Sequence, residues 1–256
     1  MTSTPLLALT NVTRTFGRGP HSTHALKDVT FAVHHTQSLG IVGESGAGKS
    51  TILKLLLGLD QPTTGTVSYR GEPLHLRNRT LMREFRKNVQ IVFQDPRSSL
   101  DPRMSVGSII AEPLKSLSID GNHTQRVHEV LEWVGLDSNA ARKYPAQFSG
   151  GQRQRIAIAR ALAPAPRILV ADEPVSALDV SVRSQIVDLL RRLKDELGLT
   201  LVMVSHDMAI VGHLCEQTMV LHDGEVVETG ETRQVLTQPR EEYTQRLLAA
   251  VPTLPA

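Results

Sequence analysis

At 256 residues, 40% of them hydrophobic and 21% charged, the chain can bury the core of one large domain, or of a core with a subdomain. Its formal charge of only +2 does not suggest a broad surface for nucleic-acid phosphates, so no nucleic acid is expected as a partner. The single cysteine, Cys215, excludes an internal disulfide and fits a reducing compartment. No apolar run reaches the roughly 18 residues a membrane span needs, and no secretory leader is visible, so any membrane role must come through a partner.

Aromatics make up only 4%, which leaves Leu, Val, Ile and Ala to build the core. Residues 7–12 and 29–33 are β-rich, with the turn Gly17-Arg18-Gly19-Pro20 between them. A short strand over 38–42 leads into a glycine loop and an apolar helix over 49–57, which stops at Gly58. Pro62-Thr63-Thr64-Gly65 turns the chain into a strand over 66–70, and 89–93 reads as a compact apolar strand ending at Gln94. From about Asp95 to Arg160, helical periods (Val127, Val130, Leu131, Val134) replace turn residues and predict a mostly helical insertion. Apolar runs at 168–171 and 199–204 flank a helix over 182–197 and have the form of parallel strands buried on both faces. Residues 219–221 and 225–228 flank His222-Asp223-Gly224, an Asp-Gly hairpin signal, and 240–251 predicts a surface helix. The pattern is α/β. With no repeat or linker it predicts one cassette, its core near 1–94 and 161–240, its helical subdomain near 95–160, and a C-terminal helix near 240–251.

Gly43-Glu44-Ser45-Gly46-Ala47-Gly48-Lys49-Ser50 fits the G-x-x-x-x-G-K-[ST] phosphate loop. Glycines let backbone N–H groups point inward around a phosphate, and the following helix turns its positive N-terminal end to the same anion. Lys49 would charge-pair the outer phosphates and the Ser50 hydroxyl would ligate Mg²⁺. A strand before the loop and an apolar helix after it are the context this motif requires.

Ligands of open α/β sheets bind beyond the carboxyl ends of strands, and four such ends carry polar residues. They lead into the phosphate loop, Gln94, Asp172-Glu173, and Ser205-His206-Asp207. Phosphoryl transfer then assigns Asp172 to the hydration shell of Mg²⁺, Glu173 to the attacking water, and His206 to the γ-phosphate. Gln94 would reach both metal and water. Taken singly each has a plainer reading: an acidic solvated turn, or Ser205 or Asp207 as the cap of the next helix.

Phe148-Ser149-Gly150-Gly151-Gln152 precedes an Arg- and Ala-rich helix over 153–162. Ser149 reads as an N-cap. Two glycines at a helix start cost stability, which makes sense if N–H groups there must approach an anion, and the chain's own loop already grips one nucleotide end. On these motifs, in this order, the whole chain resembles the ATP-binding cassette (ABC) ATPases, with FSGGQ for their LSGGQ signature. The resemblance implies a P-loop core with a mostly parallel sheet, an N-terminal antiparallel β subdomain and a helical insertion. It implies ATP and Mg²⁺ as ligands, with Phe16 stacking on adenine. Thr51 closes the Walker A loop begun at Gly43, Gln94 is the Q-loop, Asp172 and Glu173 end Walker B, Ser176-Ala177-Leu178-Asp179 is the D-loop, and His206 the switch histidine. It further implies a second cassette, identical or different, whose ATP would meet Ser149, Gly150, Gly151 and Gln152. Transmembrane permease subunits and, indirectly, an extracytoplasmic substrate-binding protein complete the expected partners, with the chain on the cytoplasmic membrane face.

Residues 92–104 (Val-Phe-Gln-Asp-Pro-Arg-Ser-Ser-Leu-Asp-Pro-Arg-Met), 110–114 and 243–252 are similar to the dipeptide, oligopeptide and nickel importer branch. Peptide-importing members often continue into a cysteine-containing tail, and the chain's shorter end leans toward the metal-type members. The alternative is a soluble cassette serving DNA repair, translation or phosphonate metabolism, but no coiled-coil insertion, zinc insertion or second fused cassette is visible. His21, His24, His34 and His35 lack ligand spacing for a metal. Cys215 reads as a small buried residue, and Arg153, Arg155 and Arg160 as dressing on a helix.

Overall fold

The computed structural model describes residues 4–17 and 19–249, so Arg18 of the first turn and residues 250–252 of the branch-like end lie outside the described residues. In chain order its elements begin with β1 (Leu7–Phe16), β2 (Thr23–Val33), β3 (Leu39–Val42), α1 (Lys49–Leu56), β4 (Thr64–Tyr69), β5 (Glu72–Pro73) and α2 (Arg79–Asn88). They continue with β6 (Val89–Val92), α3 (Pro96–Ser99), α4 (Val106–Ser116), α5 (His123–Trp133), α6 (Gly150–Leu162), β7 (Ile168–Asp172) and α7 (Val180–Leu197). The chain closes with β8 (Thr200–Ser205), α8 (Met208–Leu214), β9 (Gln217–His222), β10 (Glu225–Glu231), α9 (Thr232–Thr237) and α10 (Glu242–Ala249). Two compact units form: residues up to Met82 with those from Thr200 onward, and Arg83–Leu199.

In the first unit, among the described residues, antiparallel strands run in the order β2-β1-β4-β5. Strand β1 outlasts its predicted end at Val12 because Asn11 takes a left-handed φ of 48° and shifts the register. The buried side changes from Leu7 and Leu9 to Val12, and that break hides the rest of the strand from a period-2 reading. Asn11 is fixed there by Thr30 Oγ1, which accepts its N–H at 2.8 Å, and by Asp28 Oδ1, which accepts from Nδ2 at 3.0 Å. The unit's other strands lie in the order β10-β9-β3-β8, with β3 parallel to both β8 and β9. Every residue of β3 and β8 is buried, as strands covered on both faces require. Asp223 (φ 46°) and Gly224 (φ 81°) make the tight turn of the β9–β10 hairpin.

The second unit holds the parallel pair β6 and β7 and the helices α3 to α7, with α6 carrying Ile156, Ala157, Ile158 and Ala159 fully buried. The helical stretch expected from Asp95 is present, and α6 ends at Leu162 as read but starts at Gly150 rather than Arg153. Its arginines fasten carbonyl groups. Arg126 gives Nε to Ala163 O and NH2 to Leu162 O, both at 2.9 Å, closing the C-terminus of α6 while lying over the Trp133 ring. Arg153 donates to Pro145 O, Arg155 to Val134 O and Arg160 to Ser99 O, so these three bind backbone within the unit. Burial of Arg160 lowers its pKa, and Glu112 partly offsets this. The sequence reading assigned nothing to 71–88, whereas α2 occupies most of that stretch. Its Arg- and Lys-rich sequence masks the two buried anchors Met82 and Phe85. No helix among the described residues is long and apolar enough to cross a membrane.

Candidate functional site

In the first unit, β3 delivers the chain at Val42 into the phosphate loop. A side chain at Gly43 would put its Cβ 2.2 Å from Leu221 O, and at Gly48 (φ 108°) 2.6 Å from Ala25 O, so packing forbids anything larger at both glycines. Ala47 is buried and accepts the Gly224 N–H at 3.0 Å, while Glu44 and Ser45 are exposed. Lys49, 8% exposed, reaches back so that Nζ donates to Gly43 O at 2.6 Å and Glu44 O at 2.7 Å. Its ammonium is thereby held over the loop. Helix α1 is seated by Ile52, Leu53, Leu55 and Leu56. Its N-cap is Gly48, without the side-chain cap that α3, α4, α5, α6 and α8 each have. Those first-turn N–H groups, the helix's positive end and Lys49 form a donor set that fits a polyphosphate. Ser50, exposed in the first turn, adds a hydroxyl oxygen of the kind Mg²⁺ takes.

Two further residues belong to this unit. Val42 is registered against Ser205 of β8, which brings Ser205-His206-Asp207 to the edge where the loop begins. Asp207 is the N-cap of α8, accepting from Ala209 N at 3.0 Å and Ile210 N at 3.3 Å. The capping alternative therefore holds for Asp207, and His206 is left exposed beside it. Phe16 ends β1 at 40% exposure, with the Arg14 guanidinium 4.5 Å from its ring centre. Arg14 is itself clamped by Asp60 in a bidentate pair of 2.9 and 2.8 Å, just beyond α1. An aromatic face is thus fixed to the segment following the phosphate-loop helix.

In the second unit, Val92 is registered against Ala171, so Gln94 and the pair Asp172-Glu173 leave neighbouring parallel strands at the same end. Gln94 Nε2 donates to Glu173 Oε2 at 3.1 Å and to Ser176 Oγ at 3.2 Å, and Ser176 Oγ donates to Glu173 O at 3.1 Å. Glu173 has φ 42°, a left-handed conformation that costs a non-glycine residue about 1–2 kcal/mol. From the other side Gln154, wholly buried in α6, donates Nε2 to Pro174 O at 2.6 Å. The turn after β7 is held at both ends. Asp172 is half-buried beside it and offers a carboxylate suited to a hard cation. Asp95 caps α3, and the Arg97 N–H, ahead of opposing desolvation and further bonds from Ser98, holds its carboxyl below the ordinary value.

The glycine pair starts α6 as predicted. Ser149 Oγ accepts the Gln152 N–H at 3.3 Å and Gln152 Oε1 accepts the Ser149 N–H at 3.0 Å, a reciprocal cap. Phe148 is buried and anchors the approach. A Cβ at Gly151 would sit 2.4 Å from Val182 Cγ1, so close packing on α7 gives this glycine a reason of its own, whereas Gly150 meets only Leu178 at 3.7 Å. The second unit therefore links Ser149, Gly150, Gly151 and Gln152 to Glu173 through one helix and Gln154. Sequence reasoning missed Gln154. In the sequence it lies between Arg153 and Arg155, two places from Gln152, and reads as part of a polar helix start; only its complete burial, which obliges the amide to find a partner, marks it.

Comparison with known proteins accords with this geometry. A family model described as ABC transporter matches residues 26–176. The chain is 43% identical over 241 residues to an oligopeptide transport ATP-binding protein, OppF, of Lactococcus lactis, covering 93% of this chain and 76% of that one. It is 45% identical over 238 residues to a dipeptide transport ATP-binding protein, DppF, of Haemophilus influenzae, covering 92% and 72%. Over 229 residues it is 48% identical to OppD of Mycobacterium tuberculosis, an oligopeptide transport ATP-binding protein, covering 89% of this chain but only 37% of that longer one. Among solved structures, a dimeric post-hydrolysis state of the ATP-binding cassette MJ0796 bound to ADP and Pi matches with a TM-score of 0.78 at 35% identity, covering 89% and 99%. The structure of cbiO1 of Clostridium perfringens, part of the ABC transporter complex cbiONQ, gives 0.80 at 26% identity, covering 98% and 97%.

Proposed function

We propose that this chain, which belongs to the ABC transporter family and is an ATPase, powers the import of di- or oligopeptides through separate membrane-spanning permease subunits. The observation that carries the hydrolytic part is the Gln94–Glu173 hydrogen bond, which aims a carboxylate from the end of a buried strand. The peptide cargo is supported by the names of the relatives that match over most of this chain. Those names favour peptides over nickel chelates and a transporter over a soluble repair or translation factor.

In this reading the Gly43-to-Thr51 loop and Lys49 bind the ATP phosphates, and Phe16 stacks on the adenine. Ser50, Asp172 and Gln94 would hold Mg²⁺, directly or through water, and the ion would supply charge neutralisation at the phosphates. Glu173 accepts the proton of the attacking water and His206 hydrogen-bonds the γ-phosphate. Ser149, Gly150, Gly151 and Gln152 serve the ATP of a second cassette, and closure of the pair around nucleotide drives the permease. The chain works at the cytoplasmic membrane face, fed by an extracytoplasmic binding protein.

The test is co-purification with the permease, followed by ATPase assays over di- and oligopeptides and nickel chelates. Stimulation by peptides is expected. Stimulation by nickel chelates alone would overturn the peptide assignment, and an assembled complex without ATPase activity would overturn the whole reading.

A further inference from the structure

The phosphate loop has a support that its motif does not contain. Tyr243 of α10 is 9% exposed, and its hydroxyl oxygen accepts the N–H of Glu44, the second residue of the loop, at 3.2 Å. Its ring lies on the imidazole of His222 with centroids 3.9 Å apart and planes 25° from parallel. His222 ends β9, directly after Leu221, whose carbonyl forbids a side chain at Gly43. Two residues on, Gly224 donates its N–H to Ala47 O. Loop residues 43, 44 and 47 thus rest on β9, its turn and α10. Burial, ahead of the neighbouring carboxylates Glu44 and Asp223, raises the Tyr243 pKa, although the Glu44 N–H pulls the other way.

We propose that Tyr243 is a positioning residue for the phosphate loop: through the Glu44 N–H it holds the loop in the shape that receives nucleotide. This deepens the ATPase reading and rests on it. The loop is short and glycine-rich, so without outside fixation many backbone states compete with the binding-competent one, and affinity falls by the fraction lost. The Glu44 N–H, turned to Tyr243, sets where the next N–H groups and the Lys49 acceptors Gly43 O and Glu44 O lie. Tyr243 touches no reacting atom in this scheme. It should act on ATP affinity and leave the chemical step alone.

Tyr243→Phe tests this in the full chain assembled with its permease, because it keeps the ring on His222 and removes only the hydroxyl. The Kd for a fluorescent ATP analogue and the KM for ATP should rise roughly three- to tenfold, with kcat at saturating ATP unchanged. Amide exchange at Glu44, read by NMR on the isolated full chain, should accelerate in the variant. Glu242→Ala, next door and outside the contact, should match wild type. Unchanged Kd and KM in Tyr243→Phe would overturn the proposal. So would a drop in kcat with KM unchanged, which reports a smaller folded fraction and a merely structural role. Failure of the wild-type chain to bind the analogue would instead sink the ATPase reading itself.

Discussion

Gln94 Nε2 donates to Glu173 Oε2 at 3.1 Å from the end of a strand registered in parallel with the one that carries Glu173. The same amide holds Ser176, whose hydroxyl returns to the Glu173 carbonyl, and Gln154 holds Pro174 in between. A residue at φ 42° persists only where its surroundings over-determine it, and here four hydrogen bonds do so. The strain places the carboxylate where its neighbours can aim it. Glu173 thereby presents a carboxylate with a defined direction.

Glu173→Gln should keep nucleotide binding and lose turnover by about 10²–10⁴-fold, the usual range for a positioned general base. The isosteric amide can still meet Gln94, so the turn should survive and an ATP-bound dimer should accumulate. Steady-state ATPase and size-exclusion chromatography with Mg-ATP read the two effects. Wild-type turnover in the variant would remove Glu173 from its role.

Gly151→Ala should destabilise the fold by about 1–3 kcal/mol, because the added methyl meets Val182 Cγ1 at 2.4 Å. Pairing it with Val182→Ala should recover much of that loss, and thermal melts of the four proteins close the cycle. Purely additive effects would show that the contact is relieved some other way.

The parts legible in the sequence were those written in local chemistry. The phosphate loop, the Asp-Gly hairpin and the buried parallel strands each carry their signal within a dozen residues. The two strand-end pairs followed from where apolar runs stop, and the structure registers Val42 with Ser205 and Val92 with Ala171. What could not be read depends on distant partners or broken periods. The bulge at Asn11 cut a ten-residue strand short, and the charges of α2 hid Met82 and Phe85. Gln154 and Tyr243 act through Pro174 and Glu44, residues 20 and 199 positions away. No window of sequence pairs them.

Lys49→Ala should lower affinity for ATP by at least about a hundredfold, since the ammonium makes charge-assisted hydrogen bonds that a methyl cannot replace. It also removes the tie to Gly43 O and Glu44 O, which loosens the loop. Titration with a fluorescent ATP analogue measures the loss, and circular dichroism should show the fold intact. Retained affinity would count against the whole loop assignment.

The last prediction concerns the anchor of α10. Arg240 N at 2.9 Å and Glu241 N at 3.3 Å both donate to the Glu228 carboxylate, where β10 faces the start of that helix. Burial opposes charge on Glu228, but these N–H groups and the Arg240 charge outweigh it, so its pKa lies below the ordinary value of 4.5. A carboxyl with a lowered folded pKa stabilises above its unfolded pKa and loses that contribution as pH falls through the folded one. The protection of α10 amides, corrected for intrinsic exchange, should therefore be flat from neutral pH to about 4.5 and then decline. In Glu228→Gln it should start lower and lose this acid-dependent step, because the amide has one acceptor oxygen and no charge. Hydrogen exchange across a pH series measures both. Identical profiles in the two proteins would show that the carboxylate does not hold the helix. Since α10 carries Tyr243, a weakened anchor should also raise the Kd for ATP at neutral pH, by less than Tyr243→Phe does, because the hydroxyl contact remains available whenever the helix is docked.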